Sequence, residues 1–142
     1  MIGLFLVQFA AGVAIAHAPC PAYLPARVDC YDPAIRVVYI VENTRTEPGR
    51  EALAHEYGHV YDFDSLTDPD RARFQRLLGY PASVKWWGKG MGHDDLAPAE
   101  SFAEAYAACA VGRRFAWSPS PAKLRRICAL LPRSAYAAWK AA

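Results

Sequence analysis

Two histidines and a glutamate in the stretch "HEYGH", residues 55–59, are the residues of this chain most suited to chemistry. His55 and His59 are four residues apart, so on a helix they share a face with their Cβ atoms about 6 Å apart, which suits two imidazole nitrogens binding one zinc ion. Glu56 is turned by about 100° around the axis and can reach a zinc-bound water instead of the metal. The motif predicts a zinc site in which Glu56 removes a proton from that water before it attacks a carbonyl carbon.

A catalytic zinc ion needs a third protein ligand. A third histidine six residues after His59, with glycine at the third position, is excluded because Asp62 and Ser65 occupy those positions. His93 is possible, although it lies in a glycine-rich segment. Glu100 and Glu104 fit better, because they are four apart on one predicted helical face with small alanines beside them. One carboxylate would bind zinc and the other would hold an imidazole through its second nitrogen.

Both motifs together resemble one class of enzyme. "HEYGHVYD" followed by "ESFAEAYA" resembles the zinc peptidases with a glutamate as third ligand, the gluzincins. The likeness is greatest to the catalytic domain of anthrax lethal factor and to related proline-specific bacterial endopeptidases. The chain is also similar to small secreted bacterial zincin-like proteins with two disulfides. The resemblance implies that His55, His59 and Glu100 bind zinc, that Glu56 is the general base and that Glu104 supports a histidine.

Further residues near the motifs each have two alternative roles: His93, Asp62, Trp86 and Trp87. The resembling families carry a tyrosine seven residues before the ligand glutamate, where it stabilises the oxyanion, and this chain has His93 there. A histidine can donate the same hydrogen bond, and a loop residue without a role is the alternative. Asp62, one turn after His59, could orient a ligand or cap the helix end. Trp86 and Trp87 could form a substrate wall, but closing a core is the more common role of adjacent tryptophans.

The N-terminal 16 residues are apolar apart from Gln8, and small residues at Ala14, Ala16 and Ala18 offer cleavage sites. This pattern predicts a secretory signal peptide over residues 1–18, although no lysine or arginine precedes the apolar stretch. The alternatives are a retained apolar anchor and an internal apolar strand or helix of a longer protein. Residues 19–142 would then form a single zincin-like metallopeptidase domain.

Four cysteines fit an exported protein, because an even count in a short secreted chain indicates disulfides. Cys20 and Cys30 are close in sequence and flank a proline-rich segment, so we expect them to pair. Cys109 would then pair with Cys128, and both point inward from predicted helices. The absence of any Cys-x-x-Cys pair argues against a cysteine-based zinc ribbon.

The periodicity of the chain predicts a mostly helical domain. Residues 35–41, "IRVVYIV", are the one convincing strand, and we expect its free edge to align an extended peptide. The spacing of apolar residues predicts an active-site helix over 47–63 with Thr46 as its N-cap. Further helices are expected after Thr67, from Pro98 and from Pro121. Residues 82–97 contain three glycines and no clear period, which predicts a long loop.

The sequence therefore predicts an α+β fold, a minimal zincin-like domain with a short sheet beside the active-site helix. The predicted function is that of a secreted, monomeric zinc metalloendopeptidase whose partner is a peptide or protein substrate. The alternatives are a catalytically degenerate zincin-like binding or structural module and a zinc amidohydrolase acting on a non-peptide amide. Sixteen basic and 14 acidic residues, without a basic block, argue against a nucleic-acid partner. We expect no stable membrane insertion unless the N-terminal segment is retained.

Overall fold

A computed structural model describes residues 8–10, 12–88 and 97–142. The described elements form a small α+β fold with four strands and five α-helices: β1 (Gln8–Ala10), β2 (Val13–Ala16), β3 (Cys30–Asp32), β4 (Val37–Tyr39), α1 (Glu47–Ser65), α2 (Asp68–Leu78), α3 (Pro98–Val111), α4 (Pro121–Leu130) and α5 (Ala137–Ala141). The α+β fold class predicted from the sequence is confirmed. His93 and the rest of residues 89–96 in the predicted loop over 82–97 lie outside the described residues.

The strands form one sheet in the order β1-β2-β4-β3. β1 and β2 are antiparallel, β2 and β4 are parallel, and β4 and β3 are antiparallel. The inner strands carry core side chains, since Val13, Ile15 and Val38 are all buried. Both β3 and β4 contact α1, which places the sheet beside the helix that carries "HEYGH", as expected.

The predicted strand over 35–41 is shorter in the structure, and its predicted free edge is wrong. β4 covers only Val37–Tyr39 and lies inside the sheet, where it pairs with β2 on one side and β3 on the other. Its backbone groups are therefore already used, and it cannot add a peptide strand. β3 is an outer strand of the described sheet. The sequence analysis missed it because Cys30–Asp32 is only three residues long and is followed directly by Pro33.

The segment predicted to be a signal peptide has a structural position in this fold. β2 lies inside it and forms an inner strand, with Ala14 opposite Val37 and Ala16 opposite Tyr39. The amide N–H of Ile40 also donates to Ala16 O at 3.0 Å. Cleavage after Ala18 remains a prediction from the sequence, and it would remove the strand that pairs with β4.

Local signals place the helix starts where the sequence predicted them. The Thr46 hydroxyl accepts the Gly49 N–H at the start of α1. Thr67 and Asp70 form a reciprocal capping box at the start of α2. Pro98 is the first residue of α3, and Ser120 caps α4 just before Pro121. The helix starts are predictable because α1, α2 and α4 each have a capping hydrogen bond within three residues of sequence, and α3 begins at a proline.

Both predicted disulfides are present. Cys20 pairs with Cys30 and ties the connection after β2 to the start of β3. Cys109 pairs with Cys128 and ties α3 to α4. Among the described residues, no helix combines the length and apolar character needed to cross a membrane.

Replacing Ile15 in β2 by alanine tests whether this strand belongs to the mature protein. Ile15 is 1 % exposed, so Ile15→Ala should lower the free energy of unfolding by about 2–5 kcal/mol. Ile35→Ala is the matched control, because Ile35 is 60 % exposed and its loss should change stability by no more than about 0.5 kcal/mol. Denaturant unfolding, with the intact mass of each purified chain, is the measurement. If Ile15→Ala and wild type have equal stability, the strand is not part of the mature fold.

Candidate metal centre

The first half of the site is built on α1, which is buried on several faces. Leu53, Tyr57 and Val60 pack into the core, and Glu56 and His59 are buried on the side toward α3. The helix therefore does not have a single apolar stripe with a solvated back. It contacts the sheet, α5 and, most extensively, α3.

The second half of the site is built on α3, which approaches α1 very closely at Gly58. A Cβ atom added to Gly58 would lie 2.9 Å from Ala103 Cα and 3.2 Å from Ala103 O. Ala103 is between Glu100 and Glu104 on α3, so the closest point of the two helices is also the point where the carboxylates face the histidines. The expectation that small residues let these helices approach is confirmed.

Three side chains meet at this contact. His55 Nε2 lies 3.1 Å from Glu100 Oε2, and His59 Nε2 lies 3.3 Å from Glu100 Oε1. One ligand atom from each of the three residues lies within 4.8 Å of the others. The structure thus brings together the three zinc ligands that the resemblance implied.

The cluster could hold a metal ion, and its spacing can be compared with that of a zinc site. Zinc binds histidine nitrogen and carboxylate oxygen at about 2.0–2.2 Å, so neighbouring ligand atoms of a tetrahedral site are about 3.3–3.5 Å apart. The two nitrogen-to-oxygen distances, 3.1 and 3.3 Å, are close to that value. Two neutral imidazoles and one carboxylate are also a ligand set typical of catalytic zinc, with one position left for water or substrate.

Glu104 is placed to support His55. Its Oε1 lies 3.0 Å from His55 Nδ1, which is an ion-pair distance without the alignment of a hydrogen bond. Burial by itself would lower the pKa of His55, but the contacts with Glu100 and Glu104 outweigh burial and raise that pKa well above its ordinary value. Burial would likewise raise the pKa of Glu100, and the two histidines reverse this effect and lower it far below the usual range. The raised pKa of His55 and the lowered pKa of Glu100 favour an ion pair between these two side chains.

Glu56 lies at the metal centre without being one of the three ligands. It is 2 % exposed and lines a cavity of about 710 Å³ together with His55, Glu100 and Glu104. A carboxylate in this position can take a proton from a molecule held at the cluster. Glu56 is turned by about 100° around the helix from His55, so it was expected to lie beside the ligand residues and not among them.

Asp62 makes its described hydrogen bonds away from the histidines. Its carboxylate accepts one hydrogen bond from Arg71 Nε and another from Trp86 Nε1, each at 2.7 Å. Burial raises its pKa, and the contacts with Trp86 and Arg71 partly offset that rise. Asp62 therefore joins α1 to α2 and to the segment before α3. Neither of its carboxylate oxygens has a described hydrogen bond to His55 or His59.

The two adjacent tryptophans have different positions. Trp86 is buried, and its carbonyl oxygen accepts the Ala99 N–H at the start of α3. Trp87 is 39 % exposed, stacks on Phe63 with ring centroids 4.6 Å apart and lies 6.2 Å from the His59 ring. The predicted role of closing the core is confirmed for Trp86 alone. Trp87 lies on the surface beside the candidate metal centre.

The cavity also has walls that the sequence analysis did not select. Arg27, Val28 and Asp29 line one part of it, and Phe115 and Trp117 line another. Burial raises the pKa of Tyr23, and the charges of Glu100 and Glu56 raise it further. The sequence signal for the Phe115 and Trp117 wall was weak, because it consisted of two aromatic residues in the polar, proline-containing stretch "GRRFAWSPSP".

Comparison of the chain with protein-family models, with curated proteins and with solved structures gives no match. The argument for function therefore rests on the residues of the site and their geometry.

Gly58→Ala tests the close helix contact. Added volume should destabilise the fold by about 1–3 kcal/mol, offset in part by the higher helix propensity of alanine, and zinc affinity should fall roughly 10- to 100-fold because Glu100 moves away from the histidines. Gly49→Ala is the control, since a Cβ there would meet the Asn43 carbonyl at the far end of α1. It should destabilise the fold without weakening zinc binding to the folded protein. Equal zinc affinities for both variants, measured by competition with a chelating dye, would contradict the prediction.

The stability of the chelator-treated protein should depend on pH through this cluster. His55 has a raised folded pKa, so its stabilising contribution is complete below its unfolded value of about 6.5 and is lost as pH rises through the folded pKa. Glu100 has a lowered folded pKa, so its contribution is complete above its unfolded value, about 4.3, and is lost as pH falls through the folded pKa. The combined contribution is largest between these two values.

Denaturant unfolding across the pH range, on wild type and Glu100→Gln, is the measurement. The maximum in the free energy of unfolding between these two pH values should be lower in Glu100→Gln than in wild type. Curves of the same shape for both proteins would show that the pair contributes nothing.

Proposed function

We propose that this chain is a zinc-dependent metallopeptidase of the gluzincin type. The observation that carries the proposal is the meeting of His55, His59 and Glu100 within 4.8 Å, beside a buried Glu56 on the wall of the same cavity. The three ligand residues come from two helices, and a solvated helix face would not bring them together. A fourth residue with the chemistry of a general base is adjacent to the first ligand.

Each residue of the site has a separate role in the proposed reaction. Zinc held by His55, His59 and Glu100 would polarise a carbonyl group and lower the pKa of a water molecule. The Glu56 carboxylate accepts the proton of the attacking water and donates it to the leaving amine. Glu104 holds the His55 ring through Nδ1 and keeps Nε2 directed at the ligand cluster.

The proposed place of action is outside the cytoplasm. Two disulfides in a small domain fit an extracellular protein, because such bonds persist in oxidising compartments. The apolar N-terminal stretch adds a possible export signal, and secretion is part of the proposal.

Zinc content and Glu56→Gln test the enzymatic role. Elemental analysis of the gently purified protein should find about one zinc per chain. Glu56→Gln should keep that zinc but lose about 10²–10⁴-fold in turnover of a degenerate peptide library, because the ligands remain while the base is removed. Wild-type protein that holds zinc and leaves the library uncut would favour a non-catalytic zincin-like module. Turnover confined to non-peptide amides would favour an amidohydrolase.

Glu100 and Glu104 provide a matched pair for the ligand assignment. Glu100→Gln should strip zinc, whereas Glu104→Gln should weaken zinc binding roughly 10- to 100-fold. The two substitutions remove the same charge from the same helix, so they have similar nonspecific effects. Equal zinc contents in the two variants would overturn the assignment of Glu100 as the ligand, and absence of zinc from wild type would overturn the proposed function itself.

A further inference from the structure

The cavity at the metal centre has one apolar wall. The cavity extends from His55, Glu56 and Glu100 to this wall, which is formed by Phe115, Ala116 and Trp117. Its volume of about 710 Å³ lies within the range typical of sites for drug-sized ligands, which combine apolar walls with a few polar groups. Whatever fills this cavity lies beside the proposed general base.

Trp117 is the notable residue of that wall, because it is 79 % exposed. An exposed tryptophan next to a cavity is the kind of side chain that dominates binding energy at interfaces, since covering it removes a large apolar area from water. Trp117 also lines a second cavity of about 210 Å³, which shares Ser101 with the first. The ring therefore borders the space that leads away from the metal centre.

The wall is held in a defined conformation. The Phe115 N–H donates to Ser118 Oγ at 2.8 Å, and the Ser118 N–H donates back to Phe115 O at 3.2 Å. These bonds close a four-residue turn with Ala116 and Trp117 at its tip. The Arg113 guanidinium lies 5.3 Å from the centre of the Phe115 ring and pairs with Glu51 on α1. Because the turn is already ordered, a ligand that packs on it loses little further conformational freedom.

Polar groups occupy other parts of the cavity. Arg27, Asp29 and Ser101 line it together with the carboxylates of the site. This combination suits a peptide, whose amide groups need hydrogen-bond partners while its side chain packs on the aromatic wall. A purely aliphatic ligand would remove water from these polar groups without replacing its hydrogen bonds, which is costly.

We propose that this cavity binds a peptide segment through a large apolar side chain that packs against Trp117 and Phe115, with the peptide backbone beside Glu56. The proposal rests on the proposed function and adds to it the substrate class, peptides with a bulky apolar residue near the bond that is cut. Trp117 sets this preference and takes no part in the bond cleavage.

Binding to a variant that does not turn over substrate tests the preference directly. Zinc-loaded Glu56→Gln is titrated by calorimetry with blocked pentapeptides that are identical except for a central phenylalanine, leucine, alanine or aspartate. The phenylalanine peptide should bind at least about tenfold tighter than the alanine peptide, equivalent to about 1.4 kcal/mol. Trp117→Ala in the same background should abolish this difference, and Trp117→Phe should keep most of it.

Ile35→Ala is the control, because Ile35 is also large and exposed but does not line the cavity. It should leave all four dissociation constants unchanged. A phenylalanine preference that survives Trp117→Ala, or no preference at all, overturns the inference. Wild-type protein that cuts peptides without this preference would refute the inference alone, whereas selective binding without any cutting would refute the peptidase function and leave the binding site in place.

Discussion

The close contact between Gly58 on α1 and Ala103 on α3 is the constraint on which the site depends. A side chain at position 58 would meet the backbone of residue 103, so the helices can be this close only because that position is glycine. At this separation the short carboxylate side chains of α3 reach both imidazoles of α1. A wider spacing would leave the histidine pair without its third ligand. The glycine inside "HEYGH" is therefore as much a part of the metal centre as the histidines.

Buried charge is balanced within the cluster and around it. His55 is partly buried between Glu100 and Glu104, and an unpaired ion in that position would be costly. The fully buried Asp62 is balanced in the same way by Arg71 and Trp86. Through Trp86, whose carbonyl accepts the Ala99 N–H, this second group also fixes the start of α3 one residue before Glu100. The two networks together determine where the ligand carboxylate lies.

One helix connects the metal centre to the aromatic wall of the cavity. α3 carries Glu100 in its first turn and ends at Val111, shortly before the turn that presents Trp117. The Cys109–Cys128 disulfide ties the end of this helix to α4, so the wall lies between two covalently linked elements. A ligand residue and a binding wall on the same rigid support keep a constant separation, which accurate placement of a substrate requires.

The sequence by itself was sufficient for features that depend on neighbouring residues: the helix starts at Thr46, Thr67 and Pro98, and the shared face of His55 and His59. It also indicated both disulfides, since four cysteines allow few pairings. The sequence was insufficient for the sheet, where three of the four strands were missed and the predicted strand turned out to be internal. It was also insufficient for the partners of Asp62 and for the wall formed by Phe115 and Trp117. These features were decided by tertiary structure, because strand neighbours, buried hydrogen bonds and cavity walls join residues that are far apart in the chain and carry no local pattern.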